Sequence, residues 1–421
     1  MTAESGTGRA VTDTEAGLSL YQLLYPETLA DPYPLYHRLR TEDPVHWDPF
    51  LHTWVVTRYA DVVAVLQHFL ASRSPSPAQL SALGLSGLVP IAEVLVRQML
   101  FLDGASHARI RNLASAAFTP RRVEALRPHI QEITDNLLDQ VLVKGQMDVI
   151  ADLADPLPAI VTTEMLGLPL SDWRQLTAWS TDFAEALGNL QHNTDRAPHV
   201  LKSLQAMCSY FLAAVEDHRQ HPGDDLICAL LHAEHAGDSL STEEVVANCI
   251  MVMTGGQETT TNLIGNGLLA LLRHPQQWHR LSSSVELVPS AIEELLRFES
   301  PIQYTSRLAP ADLEMGGKTI RKQQAVIAVI GAANRDPDRF PDPDRLDITR
   351  QDNRHLAFAW GPHFCFGAPL ARLEGEIAFT TMLRRIPELT LEPAPPTWRQ
   401  NLGFRGLTQL PVAFSAAGPD Y

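Results

Sequence analysis

Cysteine is scarce and scattered in this chain. The four, Cys208, Cys228, Cys249 and Cys365, form no C-x-x-C pair, which argues against a structural zinc site. Unpaired and spread along a long chain, they read as free thiols of a reducing compartment. Long apolar runs are missing as well. No stretch approaches the about 18 consecutive apolar residues that span a bilayer, so no membrane partner is expected. Met1 to Ala16 is polar and lacks the basic-then-apolar pattern of a signal peptide. The expectation is a cytoplasmic protein with a disordered tail over 1–18. Positive charge is in deficit too, with 33 Lys and Arg against 49 Asp and Glu and a net charge of −16. That disfavours nonspecific nucleic-acid binding. Arg109, Arg111, Arg121 and Arg122 form a local exception. Repeats, low-complexity tracts and dividing linkers are absent, so residues 19–421 are expected to form one large domain.

Helical periodicity fills most of the chain. Asp31-Pro32 opens a helix with its proline in the first turn. Val45–Trp47 and Thr53–Thr57 predict a hairpin across Asp48-Pro49, and a helix follows from Tyr59 to Gln67. Leu70 to Gly104 loses its pattern to serine, proline and glycine, the kind of stretch more often functional or mobile than merely connecting. Further helices are predicted over 107–118, 121–143, 150–166, 171–188, 198–219, 226–234 and 288–299. Strands are predicted at Ile302–Leu308, Ala325–Ile330 and 405–414. The longest candidate helix, Thr242–Leu272, is apolar nearly all round through Val245, Ile250, Val252, Leu263, Ile264, Leu268 and Leu271, and should be buried. Pro275 closes it. The expected fold class is mainly α, a single large helical domain with small β-sheets at both ends and a long central helix.

Two stretches break their surroundings. Phe358 to Gly367 sets Cys365 among aromatics and glycines, directly ahead of a predicted helix over Ala368–Arg385. Free amides and the dipole at a helix N-terminus favour an anion there and suit a thiolate. The plainer alternative is a buried cysteine acting as a small hydrophobe. The second stretch, Thr254-Gly255-Gly256-Gln257-Glu258-Thr259-Thr260-Thr261, interrupts the central helix. Two glycines cost about 1 kcal/mol each relative to alanine, and threonine hydroxyls compete for backbone carbonyls. A helix boundary is one reading. The other is a site, with Gly255 and Gly256 making room for a ligand beside an acid and an alcohol. Glu294-x-x-Arg297 and His107-x-x-x-Arg111 each share a helix face. Alone, each reads equally as surface decoration or a solvated basic face.

Together these stretches resemble the cytochrome P450 family. Phe358-x-x-Gly361-x-His363-x-Cys365-x-Gly367 is similar to its haem-binding signature, in which a cysteine thiolate is the axial ligand. One position departs from the pattern: Ala359 stands where the family has glycine, a change tolerable if the backbone keeps a negative φ. Gly255-Gly256-Gln257-Glu258-Thr259-Thr260 resembles the oxygen-binding motif. Glu294-Leu295-Leu296-Arg297 resembles the family's buried Glu-x-x-Arg, with Arg350 as the third partner that best matches, ahead of Arg339 and Arg345.

The resemblance implies the rest. The cofactor would be haem b with Cys365 as metal ligand, and O2 the co-substrate. His107, Arg111, Arg307 and His363 would hold the haem propionates. Thr259 would hydrogen-bond bound dioxygen and Glu258 would feed protons to it. The activity would be monooxygenation, hydroxylating or epoxidising an apolar small molecule such as a polyketide or macrolide. Electrons would come from a ferredoxin and its NAD(P)H-dependent reductase, docking on the stretch Arg109 to Arg122. Thr254, Gly255, Ile302, Thr305 and Phe404 are the candidate substrate contacts. Two other classes remain open, a haem-thiolate peroxygenase or isomerase and a non-catalytic haem binder. The Glu258-Thr259 pair favours the monooxygenase.

Overall fold

Ser241 starts the longest helix of the computed structural model, which describes residues 17–82, 84, 86–189, 196–235, 238–386 and 388–415. The Ser241 hydroxyl accepts from the Glu244 amide, and the Glu244 carboxylate accepts from the Ser241 amide. This reciprocal cap satisfies two amides that would otherwise lack partners. From it Thr242–Arg273 runs unbroken for 32 residues, about 48 Å at 1.5 Å per residue. The Gly-Gly and Thr-rich stretch therefore lies inside the helix and is not its boundary. Around the helix pack Pro156–Met165, Trp173–Asn189, Ala197–Gln220, Val288–Phe298 and Ala368–Arg385. One large apolar cluster joins the C-terminal half of the central helix to Val288–Phe298 and Ala368–Arg385. A second joins its N-terminal half to Trp173–Asn189 and Ala197–Gln220.

The small sheets depart from the expected arrangement of one set at each end. The hairpin Val45–Asp48 and Thr53–Val56 joins the later strands in a single four-stranded sheet. Thr53–Val56 pairs parallel to Ala325–Val329, which pairs antiparallel to Tyr304–Leu308. The predicted strand 405–414 splits in two: Leu407–Gln409 pairs with Thr397–Trp398, and Pro411–Ala413 lies between Thr390–Leu391 and Gln146–Asp148.

Proline position accounts for most other differences. The helix predicted over 121–143 is two, Pro120–Ala125 and Arg127–Leu142, with Pro128 in the first turn of the second. Pro275 does more than close the central helix, because it is the first residue of a further helix, Pro275–Ser283. Leu70 to Gly104 holds short helices at Pro77–Ala82 and Val89–Leu95. Residues 1–16 of the predicted tail lie outside the described residues. From Ser19 the chain is tied down, its hydroxyl donating to the Asp48 carboxylate at 2.8 Å.

Candidate active site

The cysteine loop is a series of tight turns hung on the sheet and held from below. Its anchor is the Leu356 amide, which donates to Asn334 Oδ1 at 2.7 Å. The Cys365 amide donates back to the Phe358 carbonyl at 2.8 Å, closing the loop on itself. Ala359 adopts φ +59° and Gly361 φ +72°. The condition under which alanine would be tolerable at 359, a negative φ, is therefore not met. An L-residue in the left-handed region costs about 1–2 kcal/mol, so the departure from glycine is a strained one. Trp360, the next residue, is 36% exposed. Cys365 is half-buried and free. Burial pushes its thiol pKa up, while the Gly367 and Ala368 amides, Arg111 and Arg372 draw it down. Those amides open the helix Ala368–Arg385 and favour a thiolate, but burial outweighs them and the thiol pKa stays above its ordinary value.

Beneath the loop, Glu294 and Arg297 are fully buried and paired twice, at 2.7 and 2.8 Å. Arg350 adds its Nε to the same carboxylate at 3.2 Å. Arg339 and Arg345 bind Asp352 and Asp347 instead. A buried carboxylate matched by two guanidiniums locks the irregular 331–357 stretch, since breaking either pair leaves charge in a low-dielectric interior.

The cationic residues gather as expected, with one addition and one displacement. The rings of His107 and His363 meet with centroids 4.2 Å apart and planes tilted by 36°. Burial, with His107 and Arg307 nearby, pushes the His363 pKa down to about 4. Arg307 is buried, and desolvation lowers its pKa to about 10. Arg73 is the addition: burial and then the charge of Arg307 bring it to about 9. The carboxylate that faces this group is Asp103, already accepting from the Ala71 and Ser72 amides at 3.0 and 2.8 Å. His107 Nε2 and Arg307 Nε are buried with no partner. Arg111 is displaced from the group. It donates to the Phe364 carbonyl at 2.8 Å and lies over the Phe366 ring, on the cysteine side. Buried cations in excess of carboxylates and two orphaned donors fit a flat cofactor with two carboxylate arms, as haem has.

On the central helix the glycines divide their roles. Gly255 faces open space, with nothing within 4 Å of where a Cβ would stand. At Gly256 a Cβ would stand 2.8 Å from Thr162 Oγ1, so this glycine lets the helix Pro156–Met165 approach and does not make room for a ligand. One turn after Gly255, the Thr259 hydroxyl donates to the Gly255 carbonyl at 2.7 Å. Thr254 Oγ1 is buried without a partner. Glu258 is 2% exposed, and Arg399 donates to both its oxygens at 2.9 Å. Arg399 also reaches Asp155 at 3.2 Å. Burial raises the Glu258 pKa, Arg399 opposes that rise and Asp155 adds to it. Ile302 and Phe404 face each other across an isolated β-bridge. Thr305 accepts from Arg307 at 2.9 Å, which ties one candidate substrate contact to the cationic group.

Sequence reasoning missed Arg73, Arg399, Asp155 and Glu374. The first three carry no local pattern. Glu374 gave a signal that went unused, a carboxylate on the apolar face of Ala368–Arg385. It is fully buried, neither oxygen has a partner, and burial raises its pKa well above the usual range.

The cytochrome P450 family model matches residues 90–397. The biotin-biosynthesis cytochrome P450 of Bacillus subtilis is 39% identical over 391 residues, covering 92% of this chain and 97% of the relative. The cytochrome P450 monooxygenase PikC of Streptomyces venezuelae is 38% identical over 397 residues, covering 91% of each chain. Among solved structures, P450BioI in complex with an acyl carrier protein carrying hexadec-9Z-enoic acid superposes with a TM-score of 0.87 at 38% identity, over 93% of this chain and 99% of that one. The loop, the buried ion-pair lock and the glycine-opened helix occur in a chain that belongs to the cytochrome P450 family, a monooxygenase that uses O2 at a haem with an axial cysteine thiolate.

Proposed function

We propose that this monooxygenase inserts one atom of O2 into a sizeable, largely apolar natural product of the polyketide or macrolide kind, by hydroxylation or epoxidation. It would work in the cytoplasm, with electrons from a ferredoxin and its NAD(P)H-dependent reductase. Open space at Gly255, one turn before Thr259 on the buried central helix, is the observation that carries the reading. The relatives support the substrate class. One is named for polyketide biosynthesis, at 36% identity over 398 residues. Solved relatives hold a long-chain acyl group, myristic acid and testosterone.

In this reading Cys365 is the haem ligand, and His107, Arg73, Arg307 and His363 hold the propionates. Arg111 braces the cysteine side through the Phe364 carbonyl. Bound haem supplies the electron-rich, thiolate-ligated iron at which dioxygen is reduced and split. The chain's own residues control protons and water. Thr259 releases the Gly255 carbonyl to donate towards the oxygen side. Glu258 supplies the proton, and Asp155 and Arg399 are the solvent-side end of that path. Thr254, Gly255, Ile302 and Phe404 shape the substrate side, with Thr305 acting through Arg307. Arg121 and Arg122 stand on the face where an acidic electron carrier docks.

The test uses 18O2 with a ferredoxin and reductase and a panel of long-chain acyl, macrolide and steroid substrates. The expected product carries one labelled oxygen. Thr259→Ala should bind substrate within about twofold of wild type while most oxygen consumed no longer appears in product. Unlabelled product across the panel, or unchanged coupling in Thr259→Ala, overturns the reading.

A further inference from the structure

Far along the chain from the cysteine loop, three side chains with no part in that chemistry converge where one helix ends and the next begins. His218 lies in the last turn of Ala197–Gln220. Asp225 caps Leu226–His232, and Cys228 sits in that helix's first turn. One ligand atom from each lies within 4.8 Å of the others. His218 and Cys228 are buried, and the Asp225 side chain is 12% exposed.

Each group is already oriented by a second bond. His218 Nδ1 is 2.7 Å from the Ala214 carbonyl. Nδ1 must therefore carry the hydrogen, which leaves Nε2 an acceptor in the neutral ring, the arrangement usual for a metal-binding histidine. Asp225 Oδ1 accepts from the Cys228 amide at 2.8 Å, which leaves Oδ2 facing His218. The Gly223 amide donates to Cys228 Sγ at 3.1 Å, and the thiol in turn points at the His218 carbonyl at 3.9 Å. Nε2 and Oδ2 stand 3.5 Å apart. That is long for a hydrogen bond, and close to the roughly 3.4 Å between two ligands held 2.0–2.1 Å from a tetrahedral ion. Two acceptors so placed need a proton or a cation between them.

The backbone is shaped to this cluster. Gly167 has φ +75°, and a Cβ there would stand 2.7 Å from His218 Nε2 and 2.6 Å from Asp225 Cγ. At Gly223 a Cβ would stand 2.6 Å from Asp225 Oδ2. Glycine on both sides lets the chain close over the three groups.

We propose that His218 Nε2, Asp225 Oδ2 and Cys228 Sγ bind one divalent cation of the zinc class, with water in the fourth position. A mixed nitrogen, oxygen and sulfur set selects zinc over magnesium or calcium, which take oxygen. On binding, the Cys228 thiol gives its proton to solvent and its sulfur lone pair forms the bond. Nothing is oxidised or reduced. The ion joins the end of Ala197–Gln220 to the start of Leu226–His232, against the turn that follows Pro156–Met165. Ala197–Gln220 packs with Trp173–Asn189 on the central helix. The ion thus pins one end of that helix pair.

The experiment measures zinc per chain in the full-length enzyme, first stripped with chelator and then equilibrated in zinc buffers. One equivalent is expected, with a thermal midpoint that rises with free zinc. Cadmium should give a thiolate charge-transfer band. Cys228→Ala and His218→Gln should each weaken binding by more than about 100-fold, while Cys208→Ala leaves it unchanged. No bound zinc, or zinc binding that survives Cys228→Ala, overturns the site and leaves a histidine–aspartate ion pair in its place. If Cys228→Ala does not fold, cadmium absorption decides: absence of the band in wild type, or its loss in Cys208→Ala, also overturns the proposal.

Discussion

Arg399→Gln removes the cation that two buried acids share, and its cost should depend on pH. In the native protein Arg399 holds Glu258 at 2.9 Å through both oxygens and Asp155 at 3.2 Å. The Glu258 side chain is 3% exposed and that of Asp155 28%. Two unit charges about 4 Å apart interact by about 4 kcal/mol at an effective dielectric of 20. Removing one partner of such a pair costs about 3–5 kcal/mol, because the other charge stays buried. The sign with pH follows from the directions of the shifts. Both carboxyls already have raised pKa values in the folded state, from burial first. A raised acid loses stability as pH climbs from its unfolded pKa to its folded one. Without Arg399 both rise further, so the variant falls increasingly below wild type as pH passes the wild type's own raised folded values, until the variant's are reached. At lower pH both acids are neutral in either protein, and only hydrogen bonds worth about 1–2 kcal/mol are lost. Urea denaturation followed by far-ultraviolet circular dichroism, at matched pH from acid to neutral, measures the difference. Adding Glu258→Gln to Arg399→Gln should recover much of the neutral-pH loss, and the double-mutant cycle isolates the coupling. A penalty that is flat with pH, or under about 1 kcal/mol at neutral pH, refutes the shared-cation account.

Two further substitutions test buried or strained positions directly. Ala359→Gly should stabilise the protein by about 1 kcal/mol, since glycine removes the left-handed penalty at φ +59°; a loss of about 0.5–1 kcal/mol, as at an ordinary position, would mean that the loop carries no strain there. Glu374→Gln should gain on wild type by about 1.4 kcal/mol per pH unit once pH passes the unfolded carboxyl value, until the folded pKa is reached. Parallel lines of stability against pH for the two proteins would show that Glu374 has a partner after all.

The parts of the fold that were legible in the sequence are those with a local cause. Ala368–Arg385 matched its predicted bounds because its apolar spacing and the glycine before it are local signals. The central helix was legible in extent, with its serine cap three residues before an acid. Register between distant strands has no such cause. The parallel pairing of Thr53–Val56 with Ala325–Val329 joins segments about 270 residues apart. A run of hydrophobic residues states that a strand is buried, not which strand it meets. Helix joints were misplaced where proline acts as a starter, as at Pro128 and Pro275, because the same residue also marks an end.

The site divides along the same line, and the division explains which roles the motifs could carry. Cys365, Thr259, Glu258, Glu294 and Arg297 sit in short patterns whose members fold onto one turn or one helix face. Their partners come from elsewhere. Arg399 reaches Glu258 across 141 residues and Asp155 across 244, and Arg73 joins Arg307 from the far side of the chain. A single arginine in an irregular stretch is indistinguishable by sequence from a solvated one, yet burial makes it obligatory, because a carboxylate such as Glu258 cannot stay charged in the interior without a cation. The two glycines show the converse. Side by side they read as one opening, but a helix turns about 100° per residue, so neighbours must face different surroundings. Gly255 looks into the open side and Gly256 into Thr162. A short motif therefore identifies the chemistry, while the packing of distant residues determines which member touches the ligand and which only lets the frame close around it.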